Sequence, residues 1–310
     1  MTHNSKTGGI AEKILMLKKS RNAILLVHNY QRPEIQDVAD FLGDSLGLSL
    51  QASKTDAKVI VFCGVDFMAE SAKILNPNKI VIHPNPKAKC PMAAMISIKE
   101  LHALKEENPG AAVVAYVNTT AETKAEADVC CTSANVVKII KSLPQKKIIF
   151  IPDTNLGLYA QRFVQDKEFI FWNGYCHVHQ DITKEEILGL KKQHPNAEVL
   201  VHPECIPEVI DTADFVYSTE GMVKHVLKSD SKEFIIGTEK EMCYRLKKEN
   251  PSKKFYPVKN AICPNMKKIT IEDVLKSLET LKLEITLPDK IMKAARLPLQ
   301  RMVDMGRGDR

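Results

Sequence analysis

Short apolar runs, five or six residues long and rich in Val, Ile and Phe, recur along most of this chain. They do not alternate with polar residues, which is typical of strands covered on both faces of a parallel sheet. The segments between them, such as 66–76 and 133–143, instead carry apolar residues at helical spacing. The pattern therefore predicts an α/β fold in which strands and helices alternate.

The pattern occurs three times along the chain. Similar apolar runs that close on a small polar residue begin at Val38, Glu126 and Thr212, which are 88 and 86 residues apart. A shared period of this kind indicates three copies of one unit. Each copy contains four apolar runs. We therefore predict three small parallel sheets of about four strands, each flanked by helices.

The repeat divides the chain into three units and a C-terminal extension. The expected boundaries are 22–97, 98–182, 183–268 and 269–310. The extension contains two amphipathic stretches, which predict helices that pack on the outside of a sheet domain and only stabilise it. Its last residues, GRGDR, match a cell-adhesion motif but are expected to form a frayed tail.

Polar residues follow the predicted strands at equivalent places in the copies. Because ligands of parallel sheets bind beyond the carboxyl ends of the strands, these side chains are the candidate site residues. Copies that pack about a common pseudo-threefold axis would direct all of them into one central cavity. The first strands end near His28, Tyr30, Tyr116, Asn118, His202 and Glu204, and the second strands end near Ser45, Ser133 and Thr219.

One cysteine per copy lies in the loop after the fourth strand. Cys90, Cys176 and Cys263 are 86 and 87 residues apart, so we predict that their thiols ligate a metal. Thiolate ligands favour an iron–sulfur cluster or zinc, and the chain lacks the compact C-x2-C spacing that would decide between them. Three ligands without an obvious fourth indicate one open coordination position, where a metal acts as a Lewis acid.

The remaining cysteines have no equivalent in all three copies. Cys205 lies near the candidate site beside a glutamate, and its role stays open. His177 and His179 flank the Cys176 loop, and a surface or loop-stabilising role is as well supported as ligation. The four other cysteines fall within strands, at a strand end or on a helix, where a free cysteine behaves as a small apolar core residue. They are Cys63, Cys130, Cys131 and Cys243.

Composition and motifs argue against several classes of protein. The 44 basic and 38 acidic residues give a net charge of +6. The basic residues form scattered Lys pairs such as 18–19, 191–192 and 247–248. This distribution predicts a solvated surface and no nucleic acid partner. A signal peptide and a membrane-length apolar stretch are both missing, so we expect a cytoplasmic protein whose cysteines are thiols or metal ligands. G-x-G-x-x-G and Walker A loops are absent, and the H-x-E at His202 lacks the P-C-x-x-C of zinc deaminases.

Ten separated motifs follow one another over nearly the whole chain. They are HNYQ at His28, GDSL at Gly43, VIVFCGVDFMAE at Val59, KCPMA at Lys89, YVN at Tyr116, TSAN at Thr132, GYCHVHQ at Gly174, HPEC at His202, STEGM at Ser218 and CPNM at Cys263. In this order the motifs resemble the quinolinate synthase family, which catalyses the second step of NAD biosynthesis from aspartate in bacteria and archaea.

The resemblance implies a fold, a cofactor and a reaction. The fold is three homologous three-layer αβα domains about a pseudo-threefold axis. The cofactor is a [4Fe-4S] cluster held by Cys90, Cys176 and Cys263, with one iron open to substrate. The enzyme is a transferase that condenses iminoaspartate with dihydroxyacetone phosphate to quinolinate, with loss of phosphate and two waters. An aspartate oxidase or dehydrogenase would supply the iminoaspartate.

The same resemblance assigns the site residues. The catalytic residues it implies are His28, Tyr30, Tyr116, His202 and Glu204. The substrate pocket maps onto His28, Ser45, Tyr116, Val117, Asn118, Ser133, His202, Pro203, Glu204 and Thr219.

Two other classes of function are compatible with three equivalent cysteines. An iron–sulfur electron carrier or redox sensor would use the cluster without the ring of His, Tyr and Glu residues. A zinc-stapled binding protein would use three thiolates to hold the domains together without turnover. Metal content separates these alternatives from the enzyme.

Overall fold

The computed structural model describes residues 3–308. It contains three four-stranded sheets, and in each sheet the strands follow the same order, with the second strand of the copy at one edge and the first, third and fourth beside it. All strand pairs within the sheets are parallel. The predicted α/β class and the three equivalent sheets are therefore confirmed, whereas the exact domain boundaries stay a proposal.

The first sheet has a central strand, VIVFC, that is buried at every position. Its strands are β1 Ala23–His28, β2 Phe41–Gly43, β3 Val59–Cys63 and β4 Ile80–Ile82. The accompanying helices are α1 His3–Arg21, α2 Pro33–Gln36, α3 Ser45–Lys54 and α4 Asp66–Leu75.

The second sheet repeats this arrangement. Its strands are β5 Ala112–Tyr116, β6 Val129–Cys131, β7 Lys147–Ile151 and β8 Glu168–Phe171. The accompanying helices are α5 Ile98–Glu107, α6 Ala121–Ala125, α7 Val136–Ser142, α8 Thr154–Gln161 and α9 His177–Gln180.

The third sheet completes the set. Its strands are β9 Glu198–Val201, β10 Phe215–Val216, β11 Glu233–Gly237 and β12 Lys254–Pro257. The accompanying helices are α10 Lys184–Gln193, α11 Pro207–Ile210, α12 Thr219–Lys228 and α13 Met242–Glu249, and the chain ends with α14 Ile271–Thr280 and α15 Asp289–Met305. Short 3-10 turns lie at Met92–Ala94 and Met266–Lys268.

Local sequence signals start the helices that follow the cysteine loops. Ser97, Thr183 and Thr270 each form a capping box with the acidic residue three positions later, at the starts of α5, α10 and α14. Reciprocal side-chain and backbone hydrogen bonds of this kind satisfy the free N–H groups of a first helical turn. Each capping residue stands seven positions after a repeat cysteine, so the repeat extends beyond the strands into these helix starts.

The two C-terminal helices pack on different parts of the fold. α14 packs against α1 and β3, as an outer helix of the first sheet should. α15 instead contacts α4, α6 and β6, and its residues Ala295, Leu299 and Met302 are completely buried in the core shared by the first and second sheets. α14 therefore packs on one sheet domain, whereas α15 packs across two repeats with its opposite face exposed.

One of the predicted solvated lysines is also buried. Lys18 of α1 is only 9% exposed, and its Nζ donates to the carbonyl oxygen of Val38 at 2.9 Å and pairs with Asp40 at 2.9 Å. Within the described part of the chain, no helix is both long and apolar enough to cross a bilayer.

Candidate active site

A cavity opens where the carboxyl ends of strands from all three sheets meet. This is the place at which parallel sheets bind ligands. Twelve of the sequence-predicted site residues line it: His28, Tyr30, Ser45, Cys90, Tyr116, Asn118, Ser133, Cys176, His202, Glu204, Thr219 and Cys263. Val117 and Pro203 are buried next in sequence to lining residues without lining the cavity themselves, and their predicted substrate contacts stay predictions.

Glu204 is the central charged group of this cavity. Its Oε2 lies 2.9 Å from Nδ1 of His179 and 3.2 Å from Nδ1 of His202. Burial opposes ionisation of this carboxyl group, but the charge and hydrogen bonds of His179, followed by those of His202, outweigh burial and lower the pKa of Glu204. Its Oε1 is buried and has no hydrogen-bond partner among the described residues. An ionised oxygen without a partner is therefore available to accept a proton or a ligand.

The neighbouring aromatic groups are held in their neutral forms. Burial, reinforced by the charge of Glu204, raises the pKa of both Tyr30 and Tyr116 well above the ordinary value. Burial lowers the pKa of His28 to about 3. At neutral pH the two phenols therefore keep their protons and His28 is an uncharged imidazole, which gives the cavity potential proton donors and acceptors beside one carboxylate.

A hydrogen-bond chain that sequence reasoning did not foresee links these groups. The Tyr30 hydroxyl lies 2.5 Å from Oγ1 of Thr238, and the same oxygen lies 2.8 Å from Nε2 of His179, whose other nitrogen faces Glu204. Thr238 follows β11 directly. The rule that site residues follow strand ends also covers Thr238, but the predicted site residues came from the ends of first, second and fourth strands only.

Small hydroxyl groups lie at the starts of helices around the cavity. Ser45 and Thr219 are the first residues of α3 and α12, and Ser133 lies in the turn before α7. Backbone N–H groups at helix starts and nearby hydroxyls favour negatively charged groups such as carboxylates. Asn118 adds a buried side-chain oxygen that lacks a hydrogen-bond partner within residues 3–308. The arrangement suits a small ligand with more than one carboxylate.

The three repeat cysteines share one local geometry. In each case the backbone N–H three residues later, at Ala93, His179 and Met266, lies near the sulfur and opposes the rise that burial causes in the pKa of the thiol. Backbone donors of this kind favour the thiolate. The three sulfurs are also close enough to interact electrostatically, since Cys90 and Cys263 each contribute to raising the pKa of Cys176.

The environment of the thiols fits a bound cationic metal centre. Burial is the main cause that raises the pKa of Cys90 to about 12, and it also raises the pKa of Cys176 and Cys263. A buried thiolate is costly without a compensating positive charge, which iron would supply. Apolar side chains that line the cavity, Met92 and Met266 among them, would exclude water from the group. The donor set therefore fits an iron–sulfur cluster.

Two of the groups that could provide a fourth protein ligand, His179 and Cys205, already face other partners. Nε2 of His179 lies 2.8 Å from Oγ1 of Thr238 and its Nδ1 lies 2.9 Å from Oε2 of Glu204, although the His179 side chain, the Cys176 sulfur and the Glu204 carboxylate come within 4.8 Å of one another. Cys205 is 1% exposed, and its thiol donates to the carbonyl oxygen of Gly237 at 3.5 Å. The expected core positions of Cys63, Cys130 and Cys131 are confirmed, since all three are completely buried, and Cys243 lies on α13 as predicted, partly buried against the core of the third sheet.

The C-terminal residues are ordered against the site, contrary to the expected frayed tail. Arg307 forms two hydrogen bonds with Asp44, at 2.6 and 2.8 Å, and Gly308 N–H donates to the carbonyl oxygen of Ala134 at 2.8 Å. Asp44 caps α3 immediately before Ser45 and also lines the cavity. The segment therefore connects the two turns that carry Ser45 and Ser133. The last two residues of GRGDR lie outside the described residues.

Comparisons with known proteins point to one family. The profile of the family described as Quinolinate synthetase A protein matches residues 12–304. The quinolinate synthase of Thermodesulfovibrio yellowstonii is 54% identical over 295 residues, which cover 95% of this chain and 97% of that protein. Quinolinate synthase 2 of Methanosarcina acetivorans is 50% identical over 297 residues, 96% of each chain. The quinolinate synthase of Geotalea uraniireducens is 51% identical over 299 residues, 96% of this chain and 98% of that protein.

Proposed function

Because this chain belongs to the quinolinate synthase family, we propose that the cavity condenses iminoaspartate with dihydroxyacetone phosphate to quinolinate, with loss of phosphate and two waters. Identities near one half over almost the entire chain support this enzymatic function in NAD biosynthesis. The observation that carries the proposal is the convergence, in one buried cavity, of three cysteines from three repeats with Glu204 and a set of carboxylate-binding hydroxyls.

The family and the cysteine-containing group are compatible with an iron–sulfur cluster. We propose that Cys90, Cys176 and Cys263 hold a [4Fe-4S] cluster in which one iron has no protein ligand. The engagement of His179 and Cys205 with other partners supports this assignment. When bound, such a cluster supplies a Lewis acid that polarises a substrate oxygen.

The protein side chains bind and orient iminoaspartate through its two carboxylates. Ser45, Ser133 and Thr219 present hydroxyl groups around the cavity. Thr219 is oriented by Asn29, whose Nδ2 donates to Oγ1 at 2.7 Å, and Ser133 by His202, whose Nε2 lies 3.2 Å from the hydroxyl. Fixing the substrate carboxylates in this way places the reacting carbon and nitrogen atoms in one orientation, which lowers the entropic part of the barrier.

Proton transfers are assigned by the charge states of the cavity groups. The free Oε1 of Glu204 is ionised and accepts a proton from the substrate, whereas the hydroxyls of Tyr30 and Tyr116 remain protonated and donate. His28 stays a neutral imidazole, which can donate or accept a hydrogen bond at the substrate. A positioned acid or base of this kind contributes roughly 10² to 10⁴ in rate.

An anaerobic assay tests the proposed function. Protein purified without oxygen is incubated with dihydroxyacetone phosphate and with iminoaspartate generated in the reaction mixture by an aspartate oxidase, the class of enzyme that we propose supplies this substrate in the cell. Formation of quinolinate is the expected result. Protein that contains stoichiometric zinc and no iron, or an iron–sulfur protein that forms no quinolinate, would contradict the proposal and favour a zinc-stapled binding protein or an electron carrier.

The open iron is tested separately by adding quinolinate to the protein that holds its cluster. A ring nitrogen beside a carboxylate can chelate one iron while hydroxyls from the three repeats hold the carboxylates. We expect a change in the Mössbauer or EPR spectrum that corresponds to a single iron site. A spectrum that is unchanged at saturating quinolinate would show that the fourth position is closed.

Replacement of Arg307 by Ala should weaken substrate binding. Without its guanidinium, the carboxylate of Asp44 is left buried beside Ser45 with the N–H of Gly47 as its remaining partner, and its uncompensated charge repels a substrate carboxylate. Charge-assisted hydrogen bonds are worth enough that we expect KM for iminoaspartate to rise about tenfold, with kcat within about twofold. Steady-state kinetics measure KM and kcat of the variant and of the parent separately.

The matched control for Arg307→Ala is Arg296→Ala, which removes the same charge from an exposed position of α15. The control should keep the parent KM. Equal KM values for the two variants would show that the C-terminal segment has no role in the site.

A further inference from the structure

Three acidic residues outside the predicted site follow the third strand of each sheet. Asp66, Asp153 and Glu239 stand 87 and 86 residues apart, which matches the period of the repeat. Each precedes a repeat cysteine by 24, 23 and 24 residues. Neither the reaction scheme above nor the assignment of cluster ligands uses them.

Two of these carboxylates accept a hydrogen bond from the backbone of a repeat cysteine. The N–H of Cys90 donates to Oδ1 of Asp66 at 3.0 Å, and the N–H of Cys263 donates to Oε1 of Glu239 at 3.2 Å. In the second copy the N–H of Cys176 lies near enough to oppose the rise that burial causes in the pKa of Asp153, whose Oδ2 has no hydrogen-bond partner among the described residues. The contact therefore occurs in the first and third copies, and the second copy places the same two groups near each other.

A second contact holds the same loops two residues before each cysteine. Backbone N–H groups three residues after each third strand, those of Asp66, Thr154 and Lys240, donate to the carbonyl oxygens of Ala88, Gly174 and Ala261, at 3.0, 2.8 and 2.8 Å. These positions carry only small residues, and at Gly174 an added Cβ would lie 2.4 Å from the carbonyl oxygen of Pro152. The close approach of the cysteine loop to the strand end is therefore built into the sequence of the loop.

The same loops are fixed on their far side by the capping boxes that stand seven residues after each cysteine. A loop that is held at both ends leaves little freedom for the cysteine between them. The carboxylate is the one side-chain acceptor for the N–H of the cysteine itself. Its loss would leave a buried donor unsatisfied or force the loop to move, and either result displaces the sulfur.

We propose that Asp66, Asp153 and Glu239 are positioning residues that orient Cys90, Cys176 and Cys263 toward one shared cluster. The inference rests on the proposed function, since it concerns the residues assigned as cluster ligands. The carboxylates do not touch substrate. They act on the backbone of the ligands, as outer groups around metal sites commonly do.

Asp66 gives the clearest test, because it caps no helix and is partly exposed, whereas Asp153 also caps α8 and Glu239 pairs with Lys267. Anaerobically reconstituted Asp66→Ala protein should release iron to a ferrous chelator about tenfold faster than the parent, since a buried donor loses its acceptor. Asp66→Asn keeps an acceptor oxygen at the same place and should release iron within about twofold of the parent rate. A parent-like rate of iron release from Asp66→Asn would show that the hydrogen bond to Cys90, and not the negative charge of Asp66, holds the iron.

Glu70→Ala is the matched control on the same helix. Glu70 also accepts a backbone N–H, that of Ala121 at 3.0 Å, but it contacts no cysteine. We expect this variant to release iron at the parent rate. Thermal unfolding of the metal-free proteins, followed by circular dichroism, should give similar midpoints for both alanine variants, which identifies the fast iron release of Asp66→Ala as a local effect.

Two outcomes are distinguishable. If Asp66→Ala releases iron as slowly as the parent and gives the same EPR spectrum, the positioning role is wrong while the proposed function stands. If the parent itself binds no iron, the proposed function fails before the variants are compared. The pairs Asp153→Asn with Asp153→Ala and Glu239→Gln with Glu239→Ala should reproduce the order seen at Asp66, because each carboxylate lies near the N–H of its repeat cysteine.

Discussion

Serine at any one of Cys90, Cys176 and Cys263 is expected to abolish the cluster. Each of these residues supplies the only equivalent thiol of its repeat, and all three line the same cavity. A serine hydroxyl occupies the place of the thiol but is a poor ligand for iron in an iron–sulfur cluster. Iron and sulfide per chain in anaerobically purified protein should fall more than about tenfold, because loss of a direct ligand exceeds the effect of outer-sphere changes. Quinolinate formation should fall with them.

Cys205→Ser is the control for this experiment. Cys205 lies beside Glu204 and is as close in sequence to the site as any other cysteine, yet its thiol is buried and bonded to the carbonyl oxygen of Gly237. A serine hydroxyl can make the same hydrogen bond, so iron content should stay at the parent level. A Cys176→Ser protein that retains iron while Cys205→Ser loses it would show that the repeat-based assignment is wrong.

Glu204→Gln is expected to retain fold and cluster but lose most turnover. The amide has nearly the same shape, and its oxygen can still face Nδ1 of His179, but it cannot take up a proton. Loss of a positioned base costs roughly 10² to 10⁴ in rate, and we expect kcat to fall within that range. Iron content and the EPR spectrum, measured on the same sample, separate this loss from damage to the cluster.

The charge state of Glu204 adds a test in pH. Because the contacts with His179 and His202 lower the pKa of this carboxyl group below its ordinary value near 4.3, it stays ionised throughout the neutral range. The parent enzyme should therefore lose no activity through protonation of Glu204 between about pH 8 and pH 5. Near-normal quinolinate formation by Glu204→Gln at neutral pH would rule out its role as a base.

The sequence predicted the fold class and most of the cavity because both depend on local pattern. Uninterrupted apolar runs indicate strands buried on both faces, and the carboxyl ends of parallel strands necessarily share one edge of a sheet. That rule was enough to select residues as far apart as His28, Tyr116 and His202, and the common period was enough to select the three cysteines. In both cases the spacing along the chain carries the information, so no knowledge of tertiary contacts was needed.

Other features depend on contacts between distant residues, which no local pattern records. The amphipathic sequence of α15 showed that one face is buried, but it did not show that the face fills the gap between two repeats. The ion pair of Arg307 with Asp44 joins residues 263 positions apart, and the contact of Tyr30 with Thr238 spans 208. Side-chain hydrogen bonds require atoms to approach within about 3 Å in a suitable direction, and only the packed backbone determines which distant atoms do so.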